Sequence, residues 1–358
     1  MKNDSDAEAF EEGPQPAPRR VRAVDIARIA GVSPATVDRV LNRRPGVRAK
    51  TVERVVEAAA ALEYLPREEL FEALRPKPLR LAFLLPSGNN RYLRMLGEYI
   101  STADEQLRPF NVVSRCQFVE HFDPRALARA LRALKHRADG AVFMALEHPL
   151  VRDAVEDLAA HGIPVLTLIS DLSHSRRDAY VGIDNRAAGR TAGLLIGRFL
   201  GERKGKVALI AGSRSYRGHE EREIGFRHII EDMFPGLSVV GLREGHDDAS
   251  ENYRQTRRLL TENSDLVGIY NVGGASDGIG RALQDAHREK DVVFVGHGLT
   301  PDTRALLIDG TMDAAITQDH AAMVLNCVRI FKNLREGRSA LSGVEPLRIN
   351  LFVRENLP

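Results

Sequence analysis

The stretch Gly31–Arg48, GVSPATVDRVLNRRPGVR, opens on a glycine, runs through a Ser-Pro pair and closes on a cluster of arginines. Before it, residues 24–30 place Ile26, Ala27, Ile29 and Ala30 on one apolar face, and Gly31 then ends that helix in a tight turn. Ser33 is a good N-cap and Pro34 suits the first helical position, so a second helix is predicted from Pro34 to about Leu41, burying Val37, Val40 and Leu41. A third is predicted from about Ala49 to Glu63, with Val52, Val55, Val56, Ala59 and Leu62 inward. A short helix, a glycine turn and a capped second helix form a helix-turn-helix, which sets its second helix in the DNA major groove. A small structural three-helix unit would present the same pattern.

Charge favours the nucleic-acid reading. Residues 19–54 carry ten Lys/Arg against Asp25, Asp38 and Glu53, a net +7, whereas the whole 358-residue chain is only +2. A basic module on a near-neutral body predicts a polyanionic partner for the module alone. Residues 1–18, MKNDSDAEAFEEGPQPAP, are acidic, Pro-rich and without an apolar core, which predicts a disordered tail and no signal peptide. No later run reaches the roughly 18 apolar residues of a membrane span, so no membrane partner is expected. The two cysteines, Cys116 and Cys327, lie in apolar patterns without metal-ligand spacing. They are expected to be buried free thiols of a cytoplasmic protein.

From Leu79 the pattern changes. LRLAFLLP (79–86), NVVSRCQF (111–118), GAVFMAL (140–146) and IPVLTLIS (163–170) are short apolar runs separated by helical periodicity. KVALIAG (206–212), SVVGL (238–242), LVGIYNV (266–272), VVFVGH (292–297) and DAAITQ (313–318) form a second series. Together with the helical head, these predict an α/β chain of two doubly wound parallel-sheet lobes. Ligands of such folds bind in a crevice at the strand C-termini.

The segments VDIARIAGVSPATVDRVLN (24–42) and VRAKTVERVVEAAAALEYLP (47–66) resemble the DNA-binding head of the lac repressor family. That family's pattern is DVA..AGVS..TVSRVLN followed by VS..TR..V..A...L.Y.PN. The resemblance is dense over residues 22–66, and the body over 79–358 fits the family's effector domain, which is similar to periplasmic sugar-binding proteins. It implies a disordered tail (1–18), a head (19–64), a hinge linker (65–78) and a two-lobed body (79–358). One lobe would hold about 79–183 and 319–345, the other about 184–318 and 346–358. The implied function is that of a ligand-responsive transcriptional regulator, in keeping with a repressor. It would sense a sugar, sugar acid, polyol or cyclitol in the cleft. As a homodimer, or a tetramer, it would bind operator half-sites roughly 34–36 Å apart.

Carried over position by position, Ser33, Pro34 and Ala35 begin the recognition helix, where family members reach base edges. Thr36 and Asn42 fall on backbone-facing positions and Arg39 on one that reads bases or phosphate. Arg43, Arg44, Arg48 and Lys50 add cations for phosphate. Asp38 stands where the family usually has Ser. It either pairs with a neighbouring side chain, Asn42, Arg39 or Arg43, and so directs an arginine, or accepts a hydrogen bond from a cytosine amino group. The linker PREELFEALR (66–75) departs from the family hinge, with Arg67 for Asn and with Glu68, Glu69 and Glu72 bringing charge that DNA repels. Leu74 or Ala73 takes the minor-groove wedge position.

In the body, Asn90 and Tyr92 of PSGNNRY match the family's Asn and stacking aromatic. Arg222 of EREIGF matches an Arg that clamps ligand hydroxyls or a carboxylate, and Gln318 matches a late polar contact. Asn271 is expected beside them. Arg222 would be costly to bury unless paired with Asp171 or another acid. Two family carboxylates are displaced: their positions fall on Ile169, two residues before Asp171, and on Gly298, beside His297. With Arg222 and His297 as possible cations, an acidic or phosphorylated sugar or a cyclitol comes into consideration; His297 as a core or turn histidine is the alternative.

An enzyme reading rests on GGASDGIG (273–280), similar to a dinucleotide loop. Such a loop belongs after the first strand, where glycines and a helix N-terminus cradle pyrophosphate. Here it follows a late strand with no downstream Tyr-x-x-x-Lys pair. No H-E-x-x-H, cysteine cluster or G-x-S-x-G elbow occurs, so neither metal, cofactor nor catalytic residue is expected. A transport-type solute-binding protein is the other alternative, opposed by the head.

Overall fold

A computed structural model describes residues 21–42, 44, 46–64 and 78–358. The acidic tail, Arg43 and the linker residues 65–77 lie outside the described residues. The chain divides into two compact units, 1–77 and 78–358.

The first unit contains α1 (Ala23–Ala30), α2 (Pro34–Leu41) and α3 (Ala49–Ala61). Helix α1 stops because Gly31 takes φ 62° and ψ 41°, the left-handed conformation that glycine enters without a Cβ penalty. Ser33 Oγ accepts from Thr36 N at 3.2 Å and caps α2, with Pro34 in its first turn. Ile26, Val37, Val40, Val55 and Ala59 form the core. Ile29 was expected inward but is 51% exposed. At 100° per residue the buried arc runs through Ile26, Ala30 and Ala27, and Ile29 falls outside it. Leu41, Val52, Val56 and Leu62 are only half-buried.

In the second unit, β1 (Leu79–Pro86), β2 (Val112–Val119), β3 (Gly140–Phe143), β4 (Val165–Leu168) and β5 (Ala179–Val181) form a parallel sheet in the order β2-β1-β3-β4-β5. A second sheet contains β6 (Gly205–Ala211), β7 (Leu237–Glu244), β8 (Leu266–Asn271), β9 (Val293–His297), β10 (Ala314–Thr317) and β11 (Asn350–Phe352), ordered β11-β10-β9-β8-β6-β7. It is parallel except that β11 runs antiparallel to β10. Strands β5 and β11 were not anticipated. At three residues each they are too short to display a period. The central strands are buried along their whole length, which is why they read as unbroken apolar runs and not as alternation.

Helices α4 (Arg91–Thr102), α5 (Pro124–Arg132) and α6 (Pro149–Ala160) flank the first sheet, and α7 (Asn185–Leu200), α8 (Arg217–Met233), α9 (Ala249–Glu262), α10 (Ser276–Asp285) and α11 (Pro301–Asp309) accompany the second. The last, α12 (His320–Arg335), follows β10 but packs Met323, Cys327 and Phe331 into the first core. The chain therefore crosses between lobes after β5, again after β10 and a third time between α12 and β11. Cys327 is buried and free, whereas Cys116 is free but half-buried, since it sits on the edge strand β2. Burial still pushes the Cys116 thiol up to about 11.

One contact fixes Arg222 within the second lobe, and a set of bonds joins the two lobes. Helices α7 and α8 touch backbone to backbone: a Cβ on Gly189 would stand 2.0 Å from the Arg222 carbonyl, and one on Gly225 2.1 Å from the Arg186 carbonyl. Across the cleft, direct bonds hold the lobes together. Asn90 Nδ2 donates to Asp247 Oδ2 at 2.9 Å, Arg91 pairs with Asp302 at 2.8 Å, and Glu147 N donates to Ser215 O at 2.9 Å. Arg217 Nη1 adds a bond to Ser173 Oγ at 2.7 Å.

Candidate functional site

The outer face of α2 is polar. Ser33, Pro34, Ala35, Arg39 and Asn42 are exposed, as are Arg44, Arg48 and Lys50, while Thr36 is half-buried. Thr36 is held by Ser33, whose hydroxyl lies 2.9 Å from its own. Asp38 has two partners: Asn42 Nδ2 donates to Oδ1 at 2.7 Å, and Arg44 Nη1 lies 3.2 Å from Oδ2. The carboxylate thus directs an arginine, but that arginine is Arg44. One turn of helix brings Asn42 over Asp38, and the chain leaving α2 folds Arg44 back to the same side. Arg43 lies outside the described residues.

In the body, a cavity between the lobes is lined by Asn90 and Tyr92 from the first and by His219, Arg222, His297 and Gln318 from the second sheet's elements and the crossover. About 50 Å³ of it is open to the centre of a water-sized sphere. Adding that sphere's radius gives a hole about 7 Å across, monosaccharide size. A wider vestibule of about 280 Å³ adjoins it at Arg91, Arg94 and Asp302.

Each lining group is fixed by its own element. Asn90 caps α4, accepting from Leu93 N at 3.3 Å. Tyr92 packs on the His320 ring at 4.5 Å and donates to the Gln318 carbonyl at 3.2 Å, and burial raises its phenol pKa. The side-chain oxygen of Gln318 accepts from Ile183 N at 3.1 Å, tying the first two crossovers together.

Arg222 is 5% exposed. Its Nε donates to Asn185 Oδ1 and its Nη1 to the Val272 carbonyl, both at 2.8 Å. Among the described residues no carboxylate pairs with it. The expected partner, Asp171, is bound instead to Arg177 through both oxygens, and also accepts from Thr167 Oγ1 and Leu172 N. Asp171 therefore does not line the cavity: Arg177, six residues on, reaches it first.

Two further expectations change. Asn271 is fully buried behind the site, donating to the Gly274 carbonyl at 2.9 Å and to Ser276 Oγ at 2.8 Å. It shapes the Gly273–Gly274 turn and does not line the cavity. His297 lines it but is no cation. Burial, then Arg222, then His219 hold its pKa well below the ordinary histidine value, and its Nε2 lies 2.7 Å from Tyr270 Oη.

His219 and Asp247 were missed. Burial lowers His219 to about 4, opposed by Asp247 and reinforced by Arg222. It lies three residues before Arg222 on α8, so helical spacing was a usable signal. Asp247 follows β7, the same strand-end location as the residues that were found. The two displaced family carboxylates have structural replacements. Ile169 faces the cavity, and Gly298 takes φ 81° with a would-be Cβ 3.3 Å from the Tyr92 ring.

The glycines of GGASDGIG are accounted for by close packing. A Cβ on Gly274 would lie 2.6 Å from Asn90 Nδ2, and one on Gly278 2.0 Å from the Ala249 carbonyl. The Gly274 amide already donates to Asp247 Oδ1 at 2.6 Å. In this loop the glycines answer to close packing, and its Gly274 amide is already bonded to a carboxylate.

Comparison with known proteins follows the same division. Residues 24–67 match the family of bacterial regulatory proteins, lacI family, and residues 81–339 match the periplasmic binding protein domain. The lactose operon repressor of Escherichia coli (strain K12) is 27% identical over 351 residues, covering 94% of this chain and 90% of its own. The HTH-type transcriptional regulator IdnR of the same organism is 25% identical over 252 residues, 70% of this chain and 73% of its own. Among solved structures, GanP, a glucose-galactose binding protein from Geobacillus stearothermophilus, aligns with TM-score 0.71 at 22% identity. That alignment covers 79% of this chain and all of GanP, a likeness of fold.

Proposed function

The chain belongs to the lacI family of bacterial regulatory proteins and carries a periplasmic binding protein domain, and on that premise we propose how its parts divide the work. Residues 19–64 bind operator DNA, the crossover-linked lobes of 79–358 bind a small polyhydroxylated effector, and residues 65–78 connect them. Ser33, Pro34, Ala35 and Arg39 meet base edges. Pro34 and Ala35 have no side-chain donor, so they read shape or a thymine methyl. Thr36, Asn42, Arg43, Arg44, Arg48 and Lys50 serve the phosphates, with Asp38 steering Arg44. Two heads of a homodimer in the cytoplasm meet a near-palindrome, and the protein catalyses no reaction.

The observation that carries the effector half is Arg222. A buried guanidinium, held by Asn185 and Val272, faces a cavity closed by bonds from both lobes. A ligand that fits this cavity adds contacts to both lobes at once and so favours the closed arrangement, which is how its free energy couples to DNA affinity. A solute-binding role in transport leaves the exposed, capped recognition helix without a task. Among the described residues no helix is long and apolar enough to cross a membrane.

The test is a DNA-binding selection with the full-length protein, followed by gel shift on the enriched sequence. Binding should weaken steeply with salt, and a variant lacking residues 19–64 should lose it. A truncated protein that still shifts the fragment would overturn the assignment of the head.

A further inference from the structure

Given that the cleft is the effector site, we propose that its effector is a carboxylate-bearing sugar acid of about five or six carbons, with its carboxylate on Arg222, and not a neutral sugar.

Charge bookkeeping around the cavity leads there. Arg222 is 95% buried by the complement of its 5% exposure, and both its bonds go to neutral acceptors. Of its five N–H donors, two are used, and three remain for a ligand. None of the carboxylates nearby is bonded to Arg222. Asp171 is bound by Arg177, Asp247 by Asn90 and the Gly274 amide, and Asp319 caps α12 through Ala322 N. On α8 itself, Glu221 pairs with Arg217, and Glu223 with Arg214 and Arg227. Burial and the Arg222 charge lower the pKa of both histidines that face it, so Arg222 is the one ion among the residues that line the cavity, with the Asp247 carboxylate set behind Asn90 and Gly274.

The lining also offers no carboxylate as an acceptor. A neutral sugar presents hydroxyl protons that want carboxylates or free amide oxygens. Asn90 Oδ1 already accepts from Leu93 N and Gln318 Oε1 from Ile183 N, which leaves each amide oxygen one lone pair. At Gly298 the left-handed backbone and the Tyr92 ring leave no easy room for an acidic side chain. A ligand carboxylate reverses each of these deficits. It supplies acceptors, and it pairs a buried guanidinium end-on without needing a protein acid. Within the lining Arg222 is the one guanidinium, with Arg91 and Arg94 in the vestibule beyond, and a single guanidinium suits a monoanion better than a phosphate dianion.

The experiment is calorimetric titration and thermal shift of the full-length protein near neutral pH. Gluconate, galactonate, xylonate and glucuronate are compared with glucose, galactose, xylose and sorbitol, and with glucose 6-phosphate. At least one acid should bind about tenfold or more tightly than its neutral counterpart, and Arg222→Gln should remove that preference. Because the ligand series is read on the unaltered protein, a poorly folding variant leaves the result intact. Equal or tighter binding of a neutral sugar, binding of the phosphate alone, or no binding by any acid overturns the proposal. An acid that binds but leaves operator affinity unchanged supports the charge inference and overturns the regulatory reading on which it rests.

Discussion

Replacing Gly189 with alanine sets two effects of opposite sign against each other. Gly189 lies in the middle of α7, where alanine's helix propensity alone would stabilise the protein by about 0.5–1 kcal/mol. The new Cβ, however, would stand 2.0 Å from the Arg222 carbonyl oxygen, below the 3.0 Å that real Cβ contacts respect. The obstacle is backbone and cannot swing aside, so α7 and α8 must part by about 1 Å. Overpacking of that kind costs about 1–3 kcal/mol, which at least offsets the propensity gain. The net loss is up to about 2.5 kcal/mol, a fall in Tm of up to about 10 °C for a unit of this size. Asn185 stands one turn before Gly189 on the same helix, so the separation also stretches the 2.8 Å bond that aims Arg222 Nε. Ligand affinity should therefore drop about tenfold, more than a remote destabilisation would give. Scanning calorimetry and ligand titration on the full-length protein read both effects. A Tm equal to or above that of the parent, with unaltered ligand affinity, would refute the packing account.

Asp38→Ser frees Asn42 and Arg44 and removes a negative charge near phosphate. Non-specific DNA binding should strengthen while discrimination between operator and random DNA weakens, measured by competition gel shift. Equal weakening of both would refute the steering role. The exposed Asp38–Arg44 pair should matter little to stability, within about 1 kcal/mol by denaturant titration. Acid should destabilise the body through His219, whose folded pKa is lowered to about 4 from 6.5. The unfolded chain then binds the proton first, so stability is lost as pH falls from about 6.5 toward 4. That one group accounts for about 2 kcal/mol between pH 7 and pH 5. His219→Gln should flatten the pH dependence by that amount, and an unchanged slope would show that His219 titrates normally.

Much of the architecture was legible because it is local. Gly31, Ser33 and Pro34 announce their turn and cap within a few residues, and each buried strand announces itself by an unbroken apolar run. Strand ends were therefore placed well enough to put Asn90, Tyr92, Arg222, His297 and Gln318 in one cleft. The same reasoning misjudged Ile29, because a periodic pattern marks a face but not how much of it a neighbour covers. It could not see β5 and β11, whose three residues carry no period.

What the sequence determined by itself was the order of elements, the capped basic helix and the family to which they belong. Protonation and partnership at the cleft were decided by tertiary structure, because they depend on groups distant in the chain. Asp171 looked free to meet Arg222 until the fold delivered Arg177 to it. His297 looked like a cation until burial and Tyr270, 27 residues away, made it a neutral partner. Arg222 is aimed by Asn185, 37 residues before it, and by a carbonyl 50 residues after it. Hydrogen bonds and Coulomb fields act across a few ångströms of space whatever the separation in sequence, so the charge of a site is settled only when the chain has folded around it.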